Sequence, residues 1–183
     1  SADLALVFEP AMQADFQPIF RVDQRLHVVM RKGHPLASQT EIRLRDCLDW
    51  PLVLPDRSKG GRQMLDEALG TQSRRLFPGV VANSFEFLTR YVLDSDAISF
   101  QIAIGAPVVG GAEGLAARPL SAQDVRPGSL VLGQKRGRVL PVAAGRFVVQ
   151  LARKLDAEPF GAFSSTLPGR RGSLADQPSY EPQ

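Results

Sequence analysis

The sequence predicts an α/β fold with largely parallel sheets. Two observations lead there. Short apolar runs alternate along the chain with stretches of helical spacing, and glycine, proline or capping residues mark most of the junctions between them. A third observation sets the scale: 183 residues, 44% hydrophobic and 22% charged, suit one globular domain or two small lobes. A fold of that size buries roughly 70% of the surface its unfolded chain exposes, so it needs neither disulfide nor structural metal.

The run Leu4–Phe8 has the continuous apolar character of a strand buried on both faces. Leu26–Met30 is a second strand, closed by a turn in which Pro35 steers His34 away from helix. Ser38 or Thr40 is placed to cap a short helical segment carrying Leu44, Cys47 and Leu48. Pro51–Pro55 is a strand bracketed by prolines, which suit strand ends. Arg62–Leu69 carries the best local helix signal, with Met64, Leu65, Ala68 and Leu69 on one face and Gly70 as a left-handed C-cap.

Gly79–Ala82 is a brief strand, and Asn83 opens a helix with Glu86 as its capping-box partner. Phe85, Leu88 and Val92 form the buried face of that helix, which ends at Asp94–Asp96. Ala97–Ile104 alternates with period two and has one drier face. Gly105–Gly114 is a loop, Ser129–Leu132 a last strand, and Gln134–Arg138 a polar turn whose cations are solvated. Pro141 begins a helix in which Phe147, Leu151 and Leu155 recur every fourth residue. Beyond Ala157 the chain is rich in Pro, Gly and Ser and reads as a disordered tail.

No catalytic constellation stands out: no zinc-binding helix motif, nucleophile elbow, phosphate-cradling loop or dinucleotide fingerprint. One cysteine, Cys47, excludes an intrachain disulfide and a cysteine-built metal site, and it reads as a small buried hydrophobe. His27 in mid-strand and His34 before proline read as structural groups. No metal, cofactor or catalytic residue is expected, and no apolar run is long enough to span a membrane.

Ligands of open α/β sheets sit outside the carboxyl ends of the strands, where helix N-termini point. That rule singles out Phe8-Glu9-Pro10, Asp56–Gly61 and Asn83-Ser84-Phe85. Glycines at 60 and 61 let backbone N–H groups approach an anion, and Lys59 and Arg62 would reinforce the preference. The same residues also suit an ordinary strand-to-helix turn, and Asn83 or Ser84 an ordinary cap.

Several segments, in consistent order from about residue 3 to 156, resemble the effector-binding domain of LysR-type transcriptional regulators. Asp3-Leu4-Ala5-Leu6 is similar to that family's D-L-A-I strand. Lys32-Gly33-His34-Pro35-Leu36-Ala37 matches its K-G-H-P-L-A turn, and Ile42–Leu54 its following stretch ending in P-L-I-L. Arg138–Phe147 resembles the entry to its last helix. The chain departs from the pattern at Leu93–Gln101, where the family carries a glycine-rich segment.

The resemblance implies a periplasmic-binding-protein-like fold of two α/β lobes with an incomplete first lobe. Residues 1–29 and 130–157 would form part of lobe I, residues 30–129 lobe II, and residues 158–183 the tail. The candidate effector set is Phe8, Glu9, Pro10, Ser58, Lys59, Gly60, Gly61, Asn83, Ser84, Phe85 and Gln101. The implied partner is a small, anionic metabolite, held in the cleft of a cytoplasmic homodimer or homotetramer. Promoter DNA would be read only by an N-terminal helix-turn-helix that this sequence does not contain, and no membrane is involved. The alternative is an extracytoplasmic solute-binding protein of the same fold.

Overall fold

The computed structural model describes residues 3–8, 15–71, 77–107, 114–157 and 163–165. The strands are β1 (Ala5–Phe8), β2 (Phe16–Gln24), β3 (Leu26–Arg31), β4 (Val53–Pro55), β5 (Val80–Ala82), β6 (Ser99–Ile102), β7 (Leu115–Pro119), β8 (Gly128–Lys135) and β9 (Phe163–Ser165). The helices are α1 (Leu44–Cys47), α2 (Gly60–Thr71), α3 (Phe85–Leu93) and α4 (Val142–Ala157), with 3-10 turns at Pro35–Ser38 and Ala103–Gly105.

The hydrophobic interior is divided. One core joins Ile19, Phe20 and Val22 of β2 to Leu132 of β8 and to Val148, Ala152 and Leu155 of α4. A larger core gathers Leu26, Val28 and Met30 of β3 with Leu54 of β4, Met64, Leu65 and Leu69 of α2, and Phe100 of β6. The chain passes from one core to the other between Val22 and Leu26.

The sheets correct the expectation of mainly parallel pairing. The first has the order β1-β8-β2-β9 and the second β6-β3-β7, and every pair in them is antiparallel. Among the described strands only β4 and β5 pair in parallel; a parallel bridge from Leu52 to Ile98 continues that sense towards β6, and another joins Ile42 to Leu120. The reason lies in the connections. A parallel pair needs a crossover, and α2 supplies one between β4 and β5. Between β2 and β3 there is a single residue, Arg25, and no helix separates β7 from β8.

Other expectations shift by a residue or a face. α2 runs through Gly70 to Thr71, so Gly70 is helical rather than a C-cap. α3 is capped by Ser84, whose hydroxyl accepts the Phe87 N–H at 3.2 Å, and not by Asn83. Leu88 and Val92 are buried as expected, whereas Phe85 is 42% exposed. Neither Ser38 nor Thr40 caps α1; the Asp124 carboxylate takes the Leu44 N–H at 2.9 Å, reaching across from the far side of β7. In α4 the buried stripe is Val148, Ala152 and Leu155, and Phe147 lies outside it. The drier face of β6 is not its only buried one, because Ser99 and Gln101 are covered too.

Three strands escape the sequence reading. β2 contains Pro18, and the pairing with β8 slips between Pro18 and Phe20, the irregularity that lets proline sit inside a sheet. β7 follows the expected Gly105–Gly114 loop directly. β9 falls in the expected disordered tail, where Phe163 packs its ring 5.4 Å from Phe20. The remainder of that tail, 158–162 and 166–183, lies outside the described residues.

Polar groups fasten the passage between the cores. Gln24 is fully buried; its side-chain oxygen accepts the Ile104 N–H at 2.9 Å, and its amide donates to the Asp23 carbonyl at 3.0 Å. The Ala103 N–H donates to the Arg25 carbonyl at 3.0 Å. His27 is buried next to Gln101, its cross-strand partner, and its Nδ1–H donates to the Arg25 carbonyl at 3.2 Å. Burial lowers the His27 pKa, the Arg25 charge adds to that effect, and the hydrogen bond to the Arg25 carbonyl opposes it.

Gln24→Leu strands the Ile104 N–H in the interior and should cost about 1–3 kcal/mol of unfolding free energy; an unchanged urea midpoint would remove Gln24 from its fastening role. A histidine whose folded pKa lies below its ordinary value of about 6.5 binds its proton more readily in the unfolded chain. Stability should therefore fall as pH drops from about 7.5 through about 6.5, before any carboxylate titrates, and His27→Gln should lessen that slope, leaving the share of His34, whose pKa burial also lowers. A slope unaltered in the His27→Gln variant would assign the effect elsewhere.

Candidate functional site

β4 and β5 lie side by side and point the same way, so their carboxyl ends open onto one edge. Pro55 ends β4 and pairs with Ala82 at the end of β5, and the Asp56 N–H donates to the Ala82 carbonyl at 3.0 Å. From these two ends the chain enters α2 and α3. The geometry brings two helix N-termini together, each with a partial positive charge and unfilled backbone donors.

The loop before α2 is built around Asp56. Its carboxylate accepts the Ser58 N–H at 2.8 Å, and hydrogen bonds from the Ser58 hydroxyl and N–H hold the Asp56 pKa below the usual carboxylate range. Ser58 is thereby committed to the turn. The Lys59 carbonyl takes the N–H groups of Arg62 and Gln63 at 3.0 and 3.2 Å. The preceding amides, at Gly60 and Gly61, are the ones the first turn leaves open to a ligand. A Cβ on Gly60 would overlap the Phe8 ring, so only glycine permits β1 and α2 to approach this closely.

Lys59 and Phe85 tie the two N-termini together, the Lys59 ammonium lying 5.9 Å from the Phe85 ring centre. Asn83, Ser84 and Phe85 are exposed on the same edge. The structure thus assembles Phe8 with Gly60, and Lys59 with Phe85, from segments far apart in sequence. Gln101 stands apart from these contacts. It is 6% exposed beside His27, on the face of β6 opposite Phe100, with Gly105 next to its side-chain oxygen. Glu9 and Pro10 lie outside the described residues.

Arg62 does not reinforce an anion site as the sequence suggests. It is 6% exposed, with Nε donating to Asp66 at 2.8 Å and Nη1 to the Pro55 carbonyl at 3.2 Å. It braces α2 against the end of β4. The sequence reading also missed Gln24, for which a polar residue at a strand end gives no distinguishing signal.

The remaining candidates for chemistry are structural. Cys47 is buried, its Sγ lies 3.6 Å from the Arg43 carbonyl, and burial pushes the thiol pKa far up, so no reactive thiolate forms. His34 caps the 3-10 turn by accepting the Leu36 N–H on Nδ1 at 3.1 Å, and its ring meets Trp50 edge-on at 4.2 Å. Burial again lowers its pKa. Among the described residues no group of three or more His, Cys, Asp or Glu could hold a metal, and no helix is long and apolar enough to cross a membrane.

None of the curated protein sequences matches the chain at a significant level. Solved structures match the fold. HinK, a LysR family transcriptional regulator from Pseudomonas aeruginosa, superposes with a TM-score of 0.66 at 19% identity, covering 84% of this chain and 52% of its own. The CcmR regulatory domain of Synechocystis PCC6803, solved in complex with 2-PG, gives 0.66 at 21% identity over 85% of this chain and 74% of its own. The effector binding domain of QuiR, in complex with shikimate, gives 0.64 at 18% identity over 84% of this chain and 72% of its own. The chain spans about half the length of full regulators such as HinK. The family described as "LysR substrate binding domain" matches residues 1–156. Its lobed α/β fold is the one found here, and the chain belongs to the LysR substrate-binding domain family.

Proposed function

We propose that this chain is the effector-sensing part of a LysR-type transcriptional regulator and that its effector is a small anionic metabolite. The observation that carries the proposal is the edge where α2 and α3 begin, with the Gly60 and Gly61 amides, the Lys59 cation and the exposed Asn83–Phe85 segment on one side and Phe8 against them. Two helix N-termini and a lysine favour a carboxylate or phosphate, and the Phe8 and Phe85 rings offer apolar surface to the rest of the molecule. The complexes of CcmR with 2-PG and QuiR with shikimate supply precedents for small ligands on this fold. Family membership favours this reading over an extracytoplasmic solute carrier.

In the proposed arrangement residues 1–29 and 130–157 contribute to lobe I and residues 30–129 form lobe II. An effector that binds one relative placement of the lobes better than another shifts their populations. The shift would reach promoter DNA through a helix-turn-helix outside this sequence, in a cytoplasmic homodimer or homotetramer. Gln101 would act from the hinge, between the passage residues and the cleft.

Replacing both Asn83 and Ser84 by Ala should weaken binding of a responsive carboxylate about tenfold or more, close to 1.4 kcal/mol. A thermal-shift panel of small carboxylates that includes shikimate identifies the responsive compound, and calorimetry compares the variant with the parent chain. Equal affinities would displace the site from the α3 N-terminus. The 183-residue chain itself should bind DNA weakly and lose that binding as salt rises; a sequence-specific footprint would contradict the division of labour.

A further inference from the structure

A second crevice, of about 650 Å³, opens on the other flank of α2. Phe8, Met64 and Ala68 give it an apolar floor. Gln63 and Glu67 rise from α2 on one side, and Gln123 and Arg126 from the passage into β8 on the other. The volume falls in the range of small-molecule sites, which combine apolar lining with a few placed polar groups. Apart from Phe8 the crevice shares no residue with the candidate effector set. That set gathers at the first turn of α2, and Gln63 and Glu67 stand further along the helix.

The charges decide what such a space would hold. Asp124, also on the rim, is already spent on Arg43 through bonds of 2.7 and 2.8 Å and on the Leu44 N–H. Glu67 and Arg126 are different. Among the described residues neither forms an ion pair, although α2 has other acidic and basic side chains that do. Among the described residues, then, one exposed anion and one exposed cation without an ion-pair partner line a single crevice with an apolar floor. A ligand of one sign would satisfy one wall and be repelled by the other.

We propose that this crevice binds a zwitterion with an apolar body, either an amino acid or a short peptide. Its ammonium would face Glu67, its carboxylate Arg126, and its apolar part Phe8 and Met64, with the Gln63 and Gln123 amides completing the hydrogen bonds. The proposal stands independently of the effector reading.

Calorimetry on the 183-residue chain with L-phenylalanine and with the dipeptide Phe-Phe tests it. At least one of the two should bind saturably, and the tighter one tells a free amino acid from a peptide. The half-probes 3-phenylpropanoate and phenethylamine, which lack one charge each, should bind the chain about tenfold more weakly. Glu67→Gln and Arg126→Gln should each weaken the zwitterion about fivefold or more. Both side chains are exposed, so unchanged melting temperatures verify folding. The Asn83→Ala, Ser84→Ala variant should bind it as the parent does, which separates this crevice from the α3 site. No saturation below about 10 mM for either zwitterion, half-probes as tight as the whole, or full affinity in both charge variants would overturn the proposal.

Discussion

The structure depends on how the chain crosses from one hydrophobic core to the other. At Gln24 and Arg25 the backbone leaves the sheet that α4 covers and enters the one that α2 covers, and no helix cushions the change. A passage of this kind exposes backbone groups that neither core can satisfy. The buried Gln24 amide supplies what is missing by holding the Ile104 N–H, and the Arg25 carbonyl takes the Ala103 N–H. Because the donors sit on the 3-10 turn that follows β6, the crossing is fastened to that turn. A change in the relation of the two cores would disturb these hydrogen bonds.

The candidate effector site follows from a local exception to the sheet architecture. Nearly all the strands pair antiparallel, and antiparallel strands do not bring two helix N-termini to one edge. β4 and β5 do, because α2 carries the chain back to start β5 in the same direction. What surrounds that edge is held by groups that are themselves committed: Asp56 by Ser58, and Arg62 by Asp66 and Pro55. Among the described residues, the groups left facing that edge are the Gly60 and Gly61 amides and the exposed start of α3, with the Lys59 ammonium over the Phe85 ring. Binding at such an edge uses fixed dipoles and positioned donors, with no catalytic group needed.

Much of this was legible in the sequence, and the parts that were not share a cause. Helices α2, α3 and α4 announce themselves by apolar spacing, and the strands before them by short apolar runs. Their finer errors are tertiary. Ser84 rather than Asn83 caps α3 because the hydroxyl is the group within reach of the Phe87 N–H, and Gly70 stays helical because the chain continues past it. β2 was hidden by Pro18, and β9 by a composition that pairing with β2 and the contact of Phe163 with Phe20 outweigh. Parallel pairing was over-read from alternation, since a strand that passes straight into the next leaves no trace in local periodicity. The loops at the ends of β4 and β5 could be placed because the rule about strand ends is itself local. The commitment of Arg62 to Asp66 could not, because an i, i+4 pair looks the same whether it braces a helix or waits for a ligand.

The central claim is that a small anion is held where α2 and α3 begin. Hydrogen–deuterium exchange of the 183-residue chain, with and without a carboxylate found to raise its melting temperature, reads that claim amide by amide. Exchange should slow at residues 58–63 and 84–88 when the compound is present, with the interior of α4 unchanged. Protection confined to α4 and β8, with those two helix starts exchanging as before, would contradict it.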